Sequence, residues 1–323
     1  MRFASLPRAI DASADSTNRG TLVLRWRLLF AAIILAPLIG LIYADLKYNF
    51  GAPGILLLPL GLVAGLLAAG EILDMLKNKG HDVVAWPVYC GITLILAAAS
   101  APLGWQLLGV EYPVDCPLGK LGWPLAAAAL SVGLVFIGEM MRYKEPGGVI
   151  VNVALGTFAT LYIGLLLTFI AELRLFDSNE RGMAALVSLI FVTKLSDTGA
   201  YFVGKSFGRH KLAPRLSPGK TIEGAIGGIA AACLASWVFF HFIAPHILVA
   251  GTQPPPLWGV LLYGAIVAAA GMLGDLSESL LKRDMERKDS SRWLPGLGGV
   301  LDILDSLLAA APPAFVCWSA GIV

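Results

Sequence analysis

The chain has 323 residues, 57% of them hydrophobic and 14% charged, with a formal net charge of +2 and a mean hydropathy of +0.75. Soluble domains carry roughly 25% charged residues, so this composition excludes a soluble enzyme and makes lipid the main solvent. The small net charge, without any Lys/Arg block, excludes nucleic acid as a partner.

In chain order, residues 1–26 hold Asp11, Asp15 and scattered arginines. We read them as a cytoplasmic N-terminal tail, because no small-residue cleavage site follows the first apolar run. A membrane span needs about 20 apolar residues, since a helix rises ~1.5 Å per residue through a hydrocarbon core of ~30 Å. Nine segments meet this requirement, at about 27–43, 53–71, 84–103, 121–141, 149–171, 183–203, 222–243, 257–276 and 304–323. Backbone groups in lipid must be satisfied within their own segment, so the expected fold is all-α, a polytopic membrane protein with about nine transmembrane helices. Pro312 and Pro313 interrupt the last segment.

With the N-terminus inside, nineteen Lys and Arg fall on the inner side and only Lys47, Lys120, Arg174 and Arg181 on the outer. That asymmetry predicts N-in, C-out in a bacterial-type inner membrane. Cys90, Cys116, Cys233 and Cys317 are too scattered for a disulfide framework or a metal site. His81, His210, His241 and His246 have no metal-ligand spacing, and tryptophans near the span ends suit an interfacial belt.

Charge divides the chain. The first five spans are nearly free of interior charge, so 27–182 reads as a transmembrane scaffold. Lys194, Asp197, Glu223, Asp275, Glu278, Asp302 and Asp305 lie in or beside the last four apolar runs. Charges at membrane depth cost on the order of 2.5–3.5 kcal/mol each, so they tend to face a cavity and mark function. Residues 183–323 are therefore the expected catalytic region, with cytoplasmic loops at 204–221 and 277–301.

Asp275, Glu278, Ser279 and Lys282 follow i, i+3, i+4, i+7 spacing and share one helix face. That face offers hard oxygen ligands suited to Mg²⁺ and a cation suited to phosphate. Farther on, a glycine-rich turn containing Gly298 and Gly299 leads into Asp302 and Asp305, again i, i+3, and two carboxylates entering an apolar helix call for a bridging cation. Ser217 followed by Pro218 predicts a helix N-cap and first helical position, which turns the next N–H groups and Lys220 toward an anion. Gly219-Lys220-Thr221 is not the end of a P-loop, because Pro214 occupies the first glycine position. The residues alone point to a metal-dependent membrane enzyme acting on phosphates.

A longer pattern goes further. Ser279-x-Leu281-Lys282-Arg283, Lys288-Asp289-x-Ser291, Leu294-Pro295 and Gly298-Gly299-Val300-x-Asp302-x-x-Asp305 together resemble the phosphatidate cytidylyltransferase (CDP-diacylglycerol synthase) family. Asp197-Thr198-Gly199-Ala200-Tyr201 and Ser217-Pro218-Gly219-Lys220-Thr221-x-Glu223-Gly224 are similar to its two upstream motifs, so the resemblance covers about the C-terminal 130 residues. It departs at Leu297, where the family usually has His, and at Ile303, where it usually has Arg.

The resemblance implies transfer of the cytidylyl group of CTP to phosphatidic acid, drawn from the surrounding membrane lipids. It further implies Asp275, Lys282, Arg283, Asp302 and Asp305 in catalysis, and Mg²⁺ on Asp275, Glu278, Asp302 and Asp305, with a second cation left open. Asp197, Ser217, Lys220, Thr221, Glu223, Lys288, Asp289, Gly298 and Gly299 would then contact substrate. The sequence leaves open a homodimer. Two rival readings are a CTP-dependent lipid or polyprenol kinase, which would release CDP, and a secondary transporter using the carboxylates for a coupling ion.

Overall fold

Apolar runs this long fold as helices, and among the described residues one short hairpin interrupts them. A computed structural model describes residues 36–110, 112–113, 115–291 and 298–323. The tail 1–26, the start of the first apolar segment and Leu297 lie outside these residues. The helices are α1 (36–47), α2 (Leu57–Asn78), α3 (Ala85–Ala99), α4 (Ala101–Leu107), α5 (Gly119–Arg142), α6 (Val149–Arg174), α7 (Asn179–Phe207), α8 (Ile222–Val238), α9 (Leu257–Asp284) and α10 (Val300–Ser319).

Among the described residues, seven helices are long and apolar enough to cross a membrane: α2, α5, α6, α7, α9, α10 and α8 with the turns that extend it to His246. The apolar segment 84–103 instead splits into α3 and α4, bent by 50°. The Ser100 hydroxyl donates back to the Leu96 carbonyl (2.9 Å) and Pro102 has no N–H to give, so the ladder breaks there. Pro312 and Pro313 do not break α10, which runs on to Ser319.

Between α7 and α8, strands β1 (Lys211–Ala213) and β2 (Ser217–Thr221) pair antiparallel, with Lys211 opposite Thr221. This corrects the helix cap expected at Ser217 and Pro218. The hairpin claims those backbone groups, and the N-cap of α8 is Thr221, whose hydroxyl accepts from Gly224 N–H (3.1 Å).

The interior has two main apolar clusters. One joins α7, α8, α9 and α10 through residues such as Val192, Ala235, Val267 and Ala311, and the other joins α2, α3 and α6 through Ile72, Ile92 and Ile163. Helix α10 serves both, sending Leu301 and Leu308 into the second while Ala310, Ala311 and Ala314 meet the first. Its N-terminal turns are thereby held between the two halves of the chain. A buried ion pair between Arg174 and Asp45 (2.6 Å) ties α1 to the end of α6. At the surface, Lys79 lies 2.6 Å from Glu286 and holds that carboxyl below its usual range.

Helices α9 and α10 cross closely at Gly274, where a Cβ would collide with the Asp305 carbonyl oxygen and come within 2.7 Å of Ala309 Cβ. Gly274→Ala should therefore overpack the crossing and destabilise the fold by about 1–3 kcal/mol. The measurement is a lowered melting temperature in detergent; an unchanged one would show that the crossing has room to relax.

Candidate active site

Charged side chains from four elements of this bundle gather in one place. The last turns of α9 carry Asp275, Glu278 and Lys282, the first turns of α10 carry Asp302 and Asp305, α7 contributes Lys194 and Asp197, and β2 presents Lys220. All of them line one cavity of about 660 Å³, with Ser217, Thr221, Tyr201, Lys205 and Ser306 also on its wall.

Within the cavity the carboxylates separate into two groups. Asp275, Glu278 and Asp305 each place an oxygen within 4.8 Å of the others. Glu278 is 1% exposed; its Oε2 lies 2.5 Å from Lys282 Nζ, and its Oε1 has no hydrogen-bond partner among the described residues. An open carboxylate oxygen at this depth, beside two more hard oxygen donors, suits a divalent cation such as Mg²⁺.

Asp302 is engaged differently. Its Oδ1 lies 2.5 Å from Lys282 Nζ, while Oδ2 accepts from Gly299 N–H (2.7 Å), Ser290 N–H (3.1 Å) and the Ser290 hydroxyl (2.7 Å). With both oxygens occupied, Asp302 orients Lys282 and stands outside the trio. The glycine before this turn is required: Gly298 has φ +84°, and a Cβ there would collide with the Asp302 carboxylate.

Three lysines bring positive charge to the same wall. Lys282 Nζ also lies 2.5 Å from Glu278, Lys220 Nζ lies 2.5 Å from Asp275, and Lys194 Nζ lies 3.6 Å from Asp197. Lys194 further donates to the Ile303 carbonyl (3.2 Å), so a cation from α7 stands beside position 303 although the side chain there is aliphatic. A cavity with three carboxylates in metal-binding proximity and four lysines on its wall, Lys205 included, is built to receive clustered phosphates.

The model of the cytidylyltransferase family matches residues 26–320. The chain belongs to this family. It is similar to the phosphatidate cytidylyltransferase of Bacillus subtilis, 40% identical over 259 residues that cover 79% of this chain and 87% of that one. It is 45% identical to that of Brucella suis over 231 residues, 70% of this chain and 69% of the other. A shorter match, 43% identical over 131 residues, covers 41% of this chain and 44% of the Haemophilus influenzae phosphatidate cytidylyltransferase. Family membership makes this chain a multi-pass membrane nucleotidyltransferase.

Not every residue expected from the sequence reaches this cytidylyltransferase cavity. Arg283 donates to the Leu216 and Arg287 carbonyls at the surface (3.1 and 3.2 Å). Glu223 accepts from Arg209 N–H (3.0 Å) and approaches His210 Nδ1 (2.6 Å), so it fastens the hairpin to α8. Lys288 and Asp289 are exposed, and Gly298 and Gly299 act by shaping the turn that holds Asp302. Conversely, sequence reasoning missed Glu71 on α2, which accepts from the N–H groups of Val300 and Leu301 at the start of α10 (both 2.9 Å). The available signal was a carboxylate within an apolar run.

Proposed function

We propose that this cavity transfers the cytidylyl group of CTP to phosphatidic acid, giving CDP-diacylglycerol and pyrophosphate for phospholipid synthesis. The observation that carries the reading is the trio Asp275, Glu278 and Asp305 facing Lys220 and Lys282 across one cavity. A phosphate oxygen of phosphatidic acid attacks the α-phosphorus of CTP, the bond to the β-phosphate breaks and pyrophosphate leaves. The nucleophile is already an anion, so positioning and charge neutralisation dominate over general-base help.

Asp275, Glu278 and Asp305 hold Mg²⁺, which when bound neutralises phosphate charge and polarises the phosphorus–oxygen bonds. Lys220 and Lys282 bind the triphosphate and the lipid phosphate, Asp302 keeps Lys282 aimed inward, and Asp197, Ser217 and Thr221 complete the polar wall. The diacyl chains stay in the bilayer while the headgroup enters between helices.

The orientation we propose follows from basic residues: nineteen on one side against four on the other argue for nine spans, N-terminus inside and C-terminus outside. The cavity then opens to the cytoplasm of a cell with this protein in its inner membrane, and residues 183–323 form the catalytic region on the 27–182 scaffold.

Cytidine-labelled CTP is incubated with purified protein, phosphatidic acid and Mg²⁺, with and without chelator, and the lipid phase is extracted. Label should enter the lipid only with Mg²⁺, with one pyrophosphate released per lipid formed. Release of CDP with no cytidine label in lipid would replace this reading with a kinase.

A further inference from the structure

Glu71 lies far from the cavity in sequence, on a helix of the N-terminal half, yet it is buried against the turn that holds Asp302. Its Oε1 accepts from the Ser291 hydroxyl (2.8 Å) and Val300 N–H (2.9 Å), and its Oε2 from the Ser290 hydroxyl (2.9 Å) and Leu301 N–H (2.9 Å). One carboxylate thus caps the N-terminus of α10 and grips the end of the segment that follows α9. An anion at a helix N-terminus is favoured by both the free N–H groups and the helix dipole.

The junction reaches into the cavity through Ser290, whose hydroxyl lies 2.7 Å from Asp302 Oδ2 as well as 2.9 Å from Glu71. A serine hydroxyl has one hydrogen, so it serves one of the two carboxylates at a time while its backbone N–H stays on Asp302. Gly299 sits inside the same junction, where a Cβ would collide with Ser290 Oγ and the Glu71 carboxylate. From Asp302 the contacts continue to Lys282 and on to Glu278. The exposed pairs between α2 and this segment, Asp74 with Arg287 (2.9 Å) and Lys79 with Glu286 (2.6 Å), are of the kind that contributes little, which leaves the buried junction as the main polar tie.

We propose that Glu71 is a positioning residue of this enzyme: by joining Ser290 to the first turn of α10, it fixes Asp302 and therefore Lys282 on the cavity wall. The role rests on the cytidylyl transfer put forward above. It makes the N-terminal half a working part of the site, because α2 supplies the carboxylate that caps α10 and meets both serines of this junction.

The test compares Glu71→Gln, Ser290→Ala and the double variant in purified full-length protein. Gln keeps the size of Glu but turns an amide NH₂ toward donors, so the junction loosens. A misplacement of about 1 Å can lower turnover on the order of 10²-fold, and that fall in kcat is expected for Glu71→Gln. KM for CTP should change far less than kcat, since Lys282 is displaced rather than removed and Lys220 and Asp275 are untouched. Ser290→Ala should lower kcat in the same way while leaving the α10 N–H groups capped, and the double variant should be no worse than the poorer single one. Glu71→Asp should recover part of the loss.

Wild-type protein that fails to release pyrophosphate in a phosphatidic-acid-dependent way overturns the cytidylyl transfer itself. With wild-type turnover intact, an undiminished kcat in Glu71→Gln, or single losses that multiply in the double variant, overturns only the positioning role. If Glu71→Gln does not fold, Ser290→Ala decides: full kcat there overturns the proposal.

Discussion

Asp305→Asn should lower CTP-dependent turnover on the order of 10³-fold or more at saturating Mg²⁺, because it removes one of the three charges proposed to hold the cation and replaces an oxygen by an amide NH₂. Asp305 is buried on the first turns of α10, and its oxygen lies within 4.8 Å of those of Asp275 and Glu278. Neighbouring Ser306 donates to its Oδ1 through both N–H and hydroxyl, so the side chain is already oriented before any ligand arrives. An amide in that place keeps the volume and loses the charge, which separates metal binding from packing. The measurement is kcat across a Mg²⁺ titration, with melting temperature as the check on folding. Asp177→Asn, in the turn between α6 and α7 and outside the cavity, serves as the control and should leave kcat unchanged. Near-normal turnover of Asp305→Asn would remove the trio from the mechanism.

The expectation that Asp302 would join that trio came from spacing, and spacing explains why the sequence stopped short. Asp302 and Asp305 are three residues apart on one helix, so they share a side of α10. Which oxygen meets which donor is decided by chain segments elsewhere: Ser290 and Lys282 reach Asp302, whereas Asp275 and Glu278 reach Asp305. The i, i+4 contact of Glu278 with Lys282 was legible, because both partners lie on the same helix. Glu71 was not, since its partners are more than two hundred residues away.

The fold shows the same division. Apolar runs located the middles of the spans, and α9 shows why their ends escaped: it continues from the apolar run through Ser277 to Asp284, a charged stretch that stays helical by i, i+4 pairing. Pro312 and Pro313 were expected to interrupt the last segment. Neighbouring helices pack around Ala310, Ala311 and Ala314 and keep it continuous. Ser217 and Pro218 have the local chemistry of a helix start, yet pairing with Lys211–Ala213 draws them into a strand. At the prolines and at Ser217, contacts outside the helix itself overruled a local preference.

Lys282→Met should be the most destabilising change at the site. Lys282 Nζ is the shared cation of two carboxylates, 2.5 Å from Glu278 and 2.5 Å from Asp302, and its side chain is 12% exposed. Removing one partner of a buried ion pair leaves uncompensated charge and costs about 3–5 kcal/mol. Here two carboxylates lose their cation together, and Glu278 at 1% exposed cannot turn to water. The melting temperature in detergent should therefore drop, and turnover should vanish, because in the proposed mechanism Lys282 also meets substrate phosphate. Adding Glu278→Gln to Lys282→Met separates these roles: it removes the more deeply buried charge, so stability should return in part while turnover stays lost. Full-length single and double variants compared by thermal unfolding and by label transfer to lipid make the measurement. A Lys282→Met protein that melts with wild type and keeps its turnover would show that neither ion pair matters. A double variant that recovers turnover along with stability would show that the lysine only neutralises Glu278, and the phosphate-binding role would pass to Lys220.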